Sequence, residues 1–98
     1  MGKYVVRVTR PFGKNFEKLV SRNKLLRRRV GRVFDLLEDD PFYASLKTHK
    51  VHHSIYGVMY SSRVTGDVRI IWDFREEDGQ NKLIILAIDI GGHDAVYR

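Results

Sequence analysis

Side chains that could act on an RNA phosphodiester are concentrated in the second half of the chain. They are Lys47, His49, Lys50, His52, His53, Arg63, Arg69, His93 and Tyr97. Histidine exchanges protons near neutral pH, arginine keeps its charge and grips two phosphate oxygens, and tyrosine can stack on an exposed base. RNA supplies its own nucleophile, the 2′-hydroxyl, so its cleavage needs only a general base, a general acid and fixed positive charge. These residue types suit RNA binding as well as RNA cleavage.

Each of these side chains also has a purely structural explanation. Arg69 could pair with a neighbouring aspartate, and the histidines between residues 49 and 53 could lie in a solvated loop. His93 follows two glycines and could cap the end of the chain, whereas Tyr97 could close the end of a sheet. A nuclease site requires more than these local roles, because the Arg69 guanidinium and the His93 imidazole must then converge in one pocket.

Other kinds of catalytic chemistry lack their motifs. His49, His52 and His53 are close in sequence, but they show no HExxH-like spacing and have no carboxylate among them, so we expect no metal site and no cofactor. The Ser61-Ser62 pair is not part of a G-x-S-x-G elbow, and no glycine-rich segment matches a phosphate-binding loop. The chain contains no cysteine, which excludes disulfides and thiolate chemistry.

The size of the chain predicts one domain over residues 1–98, because a second core would need roughly 50 residues of its own. Of its 98 residues, 43% are hydrophobic. The longest fully apolar run, Leu83–Ile88, is strand-sized and far shorter than the roughly 20 residues of a membrane span. The N-terminal segment has no apolar signal-peptide core. We therefore expect a cytoplasmic protein without membrane contact.

Positive charge is concentrated at one end of the sequence. The net charge is +6, but residues 1–32 hold 11 Lys and Arg against one Glu, a balance of +10, whereas residues 33–98 hold seven bases against 11 acids, a balance of −4. A basic surface of this kind is typical of proteins that face phosphates or an acidic partner. The alternative is a merely solvated basic face.

Hydrophobic periodicity predicts four strands and two helices. The elements in order are a strand at Lys3–Thr9, a helix from Pro11 to Val20, a second helix capped by Asn23 and ended by Asp39-Asp40-Pro41, and strands at about Ile55–Arg63, Val68–Phe74 and Lys82–Ile90. The order β-α-α-β-β-β predicts an α+β fold, with a helical hairpin packed on one face of a small, mainly antiparallel sheet.

The alternation within Val68–Phe74 assigns the two faces of that strand. Val68, Ile70, Trp72 and Phe74 share the face that must meet the helices, whereas Arg69, Ile71 and Asp73 share the other. Arg69 is therefore expected to project from the side of the sheet that faces away from the helical layer.

The second predicted helix has a charge distribution that does not stabilise it. Arginines stand near its start and acids near its end, the reverse of what the helix dipole favours by roughly 0.3–1 kcal/mol per charge. The arginines are Arg27, Arg28, Arg29 and Arg32, and the acids are Asp35, Glu38, Asp39 and Asp40. We therefore favour a binding partner, rather than solubility alone, as the reason for these arginines.

Three segments resemble motifs of the RelE/ParE toxin superfamily. Asp40-Pro41 followed by Leu46–Val51 is similar to the segment that leads into the sheet in these toxins. Tyr60–Trp72 resembles their "S.RV.GDYRIIW" hairpin, and Ile88–Tyr97 resembles their terminal "IGHHD.VY". The predicted order of elements also agrees, so the resemblance covers essentially the whole chain.

The resemblance implies a toxin that a cognate antitoxin holds inactive. RelE-like members are ribosome-dependent mRNA interferases, endoribonucleases that bind the ribosome, cut mRNA and so inhibit translation. Arg69 falls on the strand arginine that contacts the scissile phosphate, His93 on the C-terminal histidine or basic catalytic residue, and Tyr97 on the terminal aromatic residue. His49 matches a histidine that some members carry before the second strand; we assign it as the general base and His93 as the general acid.

The remaining expected contacts fall into two groups. Lys47, Lys50, Arg63 and Asp67 are predicted to bind the substrate. Arg27, Arg28 and Arg32 are predicted to contact the antitoxin, through which alone operator DNA would be reached. The segment His52–Tyr56 departs from the family pattern, because it replaces a stretch that usually contains Gly and Lys, and Met59 and Ser61 replace lysines that some members carry.

Two other functions stay open at this point. A ParE-like protein inhibits DNA gyrase by binding it and needs no acid–base pair, so His93 and Tyr97 argue against that activity here. An inactive member of the superfamily would only pair with its antitoxin.

Overall fold

The computed structural model describes residues 3–76 and 83–92. The elements in chain order are β1 (Tyr4–Val8), α1 (Arg10–Val20), α2 (Lys24–Asp39), a 3₁₀ turn (Ala44–Leu46), β2 (His49–His53), β3 (Gly57–Arg63), β4 (Val68–Arg75) and β5 (Leu83–Gly92). The predicted α+β arrangement is confirmed, with one addition. A strand, β2, lies in the segment before the predicted second strand, so the sheet has five strands.

Both helices begin at side-chain caps. The Thr9 hydroxyl accepts a hydrogen bond from the Phe12 amide at 3.2 Å, and Pro11 occupies the first turn of α1. The Asn23 side chain accepts from the Leu26 amide at 3.0 Å, as its position in the sequence predicts. Each cap satisfies an amide that the helix itself leaves without a partner.

The sheet has the strand order β1-β5-β4-β3-β2. β1 pairs in parallel with β5, and every other neighbouring pair is antiparallel. The register between β4 and β5 shifts between Ile71 and Trp72, whose partners are Asp89 and Ala87, so Ile88 is an extra residue on β5. At this irregularity the Asn15 side chain of α1 donates to the Asp89 carboxylate at 2.7 Å and ties the helix to the sheet.

The main core lies between the helices and the sheet. Its fully or nearly fully buried residues are Phe12, Val20, Leu26, Val30, Val33, Leu37, Leu46, Val64, Val68, Ile70, Trp72, Ile85, Ala87 and Ile90. Val68, Ile70 and Trp72 therefore lie on the face that the alternation predicts, with Phe74 packed against the same cluster. A smaller cluster of Met59, Ile71 and Ile88 covers part of the opposite face.

Within the described residues, no helix combines the length and the apolar character that crossing a membrane would require.

Candidate active site

One end of the sheet gathers the basic side chains of three strands. His49, the first residue of β2, pairs with Ser61 of β3, and Arg63, the last residue of β3, pairs with Arg69 near the start of β4. Arg69 in turn pairs with Gly91 near the end of β5. Since antiparallel neighbours run in opposite directions, the start of β2, the end of β3 and the start of β4 meet at the same end of the sheet.

The same register gives His49 and Arg69 a common face. Ile71 belongs to the smaller cluster on the side away from the helices, and Val51 packs against that cluster. Side chains two residues apart on a strand share a face, so His49 lies with Val51 and Arg69 with Ile71. The two α-carbons are two strands and two residues apart, which corresponds to about 12 Å on an untwisted sheet. Side chains of this length can approach a group placed between them.

Arg69 is held on a central strand with part of its guanidinium buried. Its Nε and Nη1 atoms are inaccessible to solvent and have no hydrogen-bond partner among the described residues. The aspartate on the same strand, Asp73, binds Arg75 at 2.6 Å instead. Buried polar atoms are nearly always paired, and each exception calls for an explanation such as a catalytic role or a bound ion. Nε and Nη1 of Arg69 therefore require a partner other than the described residues, and a bound anion is one group that would satisfy them.

His49 is exposed, and the preceding turn orients its ring. Its Nδ1 atom lies 2.9 Å from the backbone carbonyl oxygen of Lys47. A carbonyl oxygen only accepts, so in the neutral ring the proton is on Nδ1 and the lone pair is on Nε2. Lys47 itself adopts the left-handed conformation, with φ of 49°, at the end of the 3₁₀ turn. The arrangement leaves His49 with a free proton acceptor.

A buried hydrogen-bond chain anchors the start of β2. The Thr48 hydroxyl lies 2.6 Å from the Pro41 carbonyl oxygen and 2.7 Å from the Ser62 hydroxyl oxygen. Ser62 also accepts from Trp72 Nε1 at 2.7 Å, and both Ser62 and Trp72 are fully buried. The chain thus fixes the residue directly before His49. The sequence pattern considers Ser62 only as a nucleophile and does not predict this role. The available signal was a serine on the strand next to the tryptophan, two residues from the Tyr60 that pairs with Trp72.

The other predicted substrate-binding residues do not all lie with His49 and Arg69, and the prediction for Lys50 is not supported by its position. Lys47 is exposed in the turn next to His49. Asp67 lies in the β3–β4 turn, where a β-carbon added to Gly92 would be only 3.2 Å from its carboxylate. Lys50 pairs with Tyr60, whose ring packs against the main core, so it lies on the other face of the sheet from His49.

Two of the predicted catalytic residues, His93 and Tyr97, lie outside the described residues. The convergence of His93 with Arg69 therefore stays a prediction. Among residues 3–76 and 83–92, no three His, Asp or Glu side chains are grouped closely enough to hold a metal ion.

The arginines of α2 point in different directions. Arg27 lies over the Phe16 ring, 5.4 Å from its centroid, and 3.7 Å from the Glu17 carboxylate, so it contacts α1. Arg28 is exposed. Arg32 lines a groove between α2 and the end of β3. The three residues predicted to bind an antitoxin do not form one patch.

Comparison with solved structures identifies the fold. A YoeB/ParE toxin from Agrobacterium tumefaciens superposes with a TM-score of 0.72 at 13% identity, covering 91% of this chain and 98% of that one. YafQ from E. coli strain BL21(DE3) gives 0.68 at 17% identity, with 92% and 93% covered. A chain of the E. coli DinJ-YafQ toxin-antitoxin complex gives 0.71 at 16% identity, with 98% and 99% covered.

This chain has the RelE/ParE-like toxin fold. The fold expected from the resemblance of the three sequence motifs is thereby confirmed over nearly the whole chain. No protein-family model and no curated protein sequence matches this chain. At identities below 20%, the superpositions establish the fold alone.

Proposed function

We propose that this protein is the toxin of a toxin–antitoxin pair and that it cleaves mRNA on the ribosome, in the cytoplasm, without a metal ion. The observation that carries the proposal is the partly buried guanidinium of Arg69, two of whose nitrogens lack a partner among the described residues, at one edge of a sheet with a toxin-like fold. The structures of YafQ with DinJ support an antitoxin as a binding partner.

In the proposed reaction, the RNA 2′-hydroxyl attacks the adjacent phosphorus. His49 Nε2 removes the 2′-hydroxyl proton as the new P–O bond forms, because Nδ1 is engaged by the Lys47 carbonyl. Arg69 binds the non-bridging oxygens and stabilises the charge of the phosphorane. The bond from phosphorus to the 5′-oxygen then breaks, and a general acid, assigned to His93, protonates that oxygen. The products are a 2′,3′-cyclic phosphate and a 5′-hydroxyl.

The other residues of this edge are assigned to binding. Lys47 and Arg63 would contact neighbouring phosphates, and Asp67 a ribose or base. Tyr97, which follows β5 in the sequence, is assigned to stacking on an exposed base. His93 follows Gly92, the last residue of β5, directly in the sequence.

The test compares two arginines of the same strand. Arg69→Ala is expected to lower mRNA cleavage on purified ribosomes about 10²–10³-fold, the range typical of losing one group that stabilises developing charge. Arg69→Lys should recover only part of this, since lysine lacks the planar fork. Arg75→Ala, on the same face of β4 but at its other end, is the matched control and should cleave like the wild type.

Cleavage sites are mapped by primer extension, and growth is followed after induction. Wild-type cleavage by Arg69→Ala would show that the catalytic assignment is wrong. Filamentation and DNA damage with intact mRNA would instead support the gyrase-inhibitor alternative, and harmless overexpression would support an inactive toxin fold.

A further inference from the structure

A groove with an arginine rim runs along α2, on the side of the β3–β4 turn. It consists of two adjoining cavities that share Arg29 as a lining residue. The larger, of about 400 Å³, is bounded by Arg29, Arg32 and Arg63 and has Leu36, Leu46 and Val64 among its apolar lining residues. The smaller, of about 290 Å³, lies at the start of α2 beside Leu25, which is 61% exposed.

Among the described residues, the positive charge of this groove has no acidic neighbour in the lining, because none of the residues that line the two cavities is an aspartate or a glutamate. The observed ion pairs of described residues, Arg27 with Glu17 and Arg75 with Asp73, involve none of the three rim arginines. Three guanidinium groups around one groove repel one another, so an anion bound between them would be stabilised.

The groove also has a definite length and an apolar interior. It extends from Asn23 to Leu36 of α2, about 20 Å at the helical rise of 1.5 Å per residue. An extended peptide covers this length with about six residues. Apolar side chains lie towards both ends of the groove, Leu25 and Leu26 at one and Leu36 and Leu46 at the other, with Arg29 between them.

We propose that this groove binds an extended acidic segment of a partner protein, with aliphatic side chains at its two ends and carboxylates between them. Arginine binds carboxylates in a bidentate manner, and the leucines and valines accept aliphatic side chains. The inference rests on the proposed function, within which the partner is the antitoxin. It moves the predicted antitoxin contact from Arg27, Arg28 and Arg32 to Arg29, Arg32 and Arg63, so Arg27 and Arg28 are no longer part of it.

RNA is the competing anionic ligand, and the lining of the groove favours the peptide. Single-stranded RNA binds by stacking its bases on aromatic side chains or arginine planes. Among the described residues, Tyr43 is the one aromatic residue that lines either cavity, and the lining side chains other than Tyr43 and the arginines are aliphatic or small and polar. Stacking of bases would have to use the guanidinium planes of the rim arginines, whereas the leucines and valines are suited to the aliphatic side chains of a peptide.

The experiment measures binding of a fluorescein-labelled peptide by anisotropy, using the full chain without ribosomes. The probe is a peptide of about eight residues, with three glutamates between two leucines; a second probe replaces glutamate by glutamine, and a third is a single-stranded RNA of about ten nucleotides. Arg29→Glu/Arg32→Glu should weaken binding of the acidic peptide at least tenfold. Ser45→Trp, which fills the larger cavity without changing the charge, should also weaken it.

Matched controls separate the groove from the general basic character of the chain. The first control, Arg28→Glu, reverses a charge on the same helix outside both cavities. The second control, Arg28→Glu/Lys24→Glu, changes the net charge by as much as Arg29→Glu/Arg32→Glu does. Both controls should bind the acidic peptide within about twofold of wild type. Ala44→Trp serves as the control for Ser45→Trp, because Ala44 lines neither cavity.

Three outcomes would overturn the inference. The first is that no peptide binding is detected below about 1 mM. The second is that the control reversals weaken binding as much as the groove variants, and the third is that the RNA, rather than the peptide, depends on Arg29 and Arg32. None of these measurements involves mRNA cleavage. The peptide can therefore fail to bind while Arg69→Ala abolishes cleavage, and the peptide can bind while Arg69→Ala has no effect on cleavage.

Discussion

Replacing Arg69 with methionine should stabilise the fold while it abolishes cleavage. The side chain is part-buried, and its Nε and Nη1 atoms lack a hydrogen-bond partner among the described residues. An unsatisfied buried donor costs about 1–3 kcal/mol. Methionine keeps the length of the aliphatic stem and removes this penalty.

We expect Arg69→Met to raise the free energy of unfolding by about 1–2 kcal/mol. The gain is smaller than the full penalty because the variant also loses the favourable hydration of the exposed part of the guanidinium. For a domain of this size that corresponds to an increase of about 4–16 °C in Tm. Trp72 is the only tryptophan in the chain and is fully buried, so its fluorescence during urea unfolding reports the change directly.

Arg75→Met is the control, because Arg75 is paired with Asp73 at the surface of the same strand. It should destabilise by no more than about 1 kcal/mol. If Arg69→Met is instead less stable than wild type by about 1 kcal/mol or more, the guanidinium supports the fold, and the argument that it is reserved for an anion is refuted.

Three further predictions concern the framework around the site. Ser62→Ala leaves the buried Trp72 Nε1 without its acceptor and should lower the free energy of unfolding by about 1–3 kcal/mol. Ser45 is exposed, so Ser45→Ala should change it by less than about 0.5 kcal/mol. Equal losses for the two variants in urea unfolding would contradict the role of the network. Asn15→Ala removes the bond to Asp89 and should cost about 1–2 kcal/mol, and a double-mutant cycle with Asp89→Ala, measured by urea unfolding, should show that the two changes are not additive. Asn23→Ala removes the cap of α2 and should cost about 1 kcal/mol, with Asn23→Ser recovering most of it; circular dichroism during thermal unfolding measures both.

The helices and the central strands could be predicted because their sequences carry strong periodic patterns. The apolar spacing of α2 and the alternation in β4 each place one face against the core, and Asn23 marks the start of α2. β2 could not be predicted in this way. It is an edge strand with a single aliphatic residue, Val51, and its conformation depends on backbone pairing with β3 rather than on its own burial pattern.

The candidate site was only partly accessible to sequence reasoning for a similar reason. Alternation correctly puts Arg69 on the face away from the helices, since burial of Ile70 and Trp72 fixes the register. The position of His49 depends on which residues of β2 and β3 pair, and the opposite placement of Lys50 follows from the same register. The division of the α2 arginines between α1 and the groove depends on how α2 packs on its neighbours, which no local pattern encodes.

Arg69 and His49 are held in place by different interactions, and this difference suits their proposed roles. Arg69 lies on β4, between β3 and β5, where backbone pairing on both sides limits its movement. His49 lies on β2, which has no partner strand on one side within residues 3–76 and 83–92, and depends on the Thr48–Ser62–Trp72 chain for its position. A phosphate ligand gains most from a fixed charge, since reorganisation then costs little during the reaction. A general base must remain accessible to its substrate and still be oriented, and an exposed imidazole tied through Nδ1 meets both conditions.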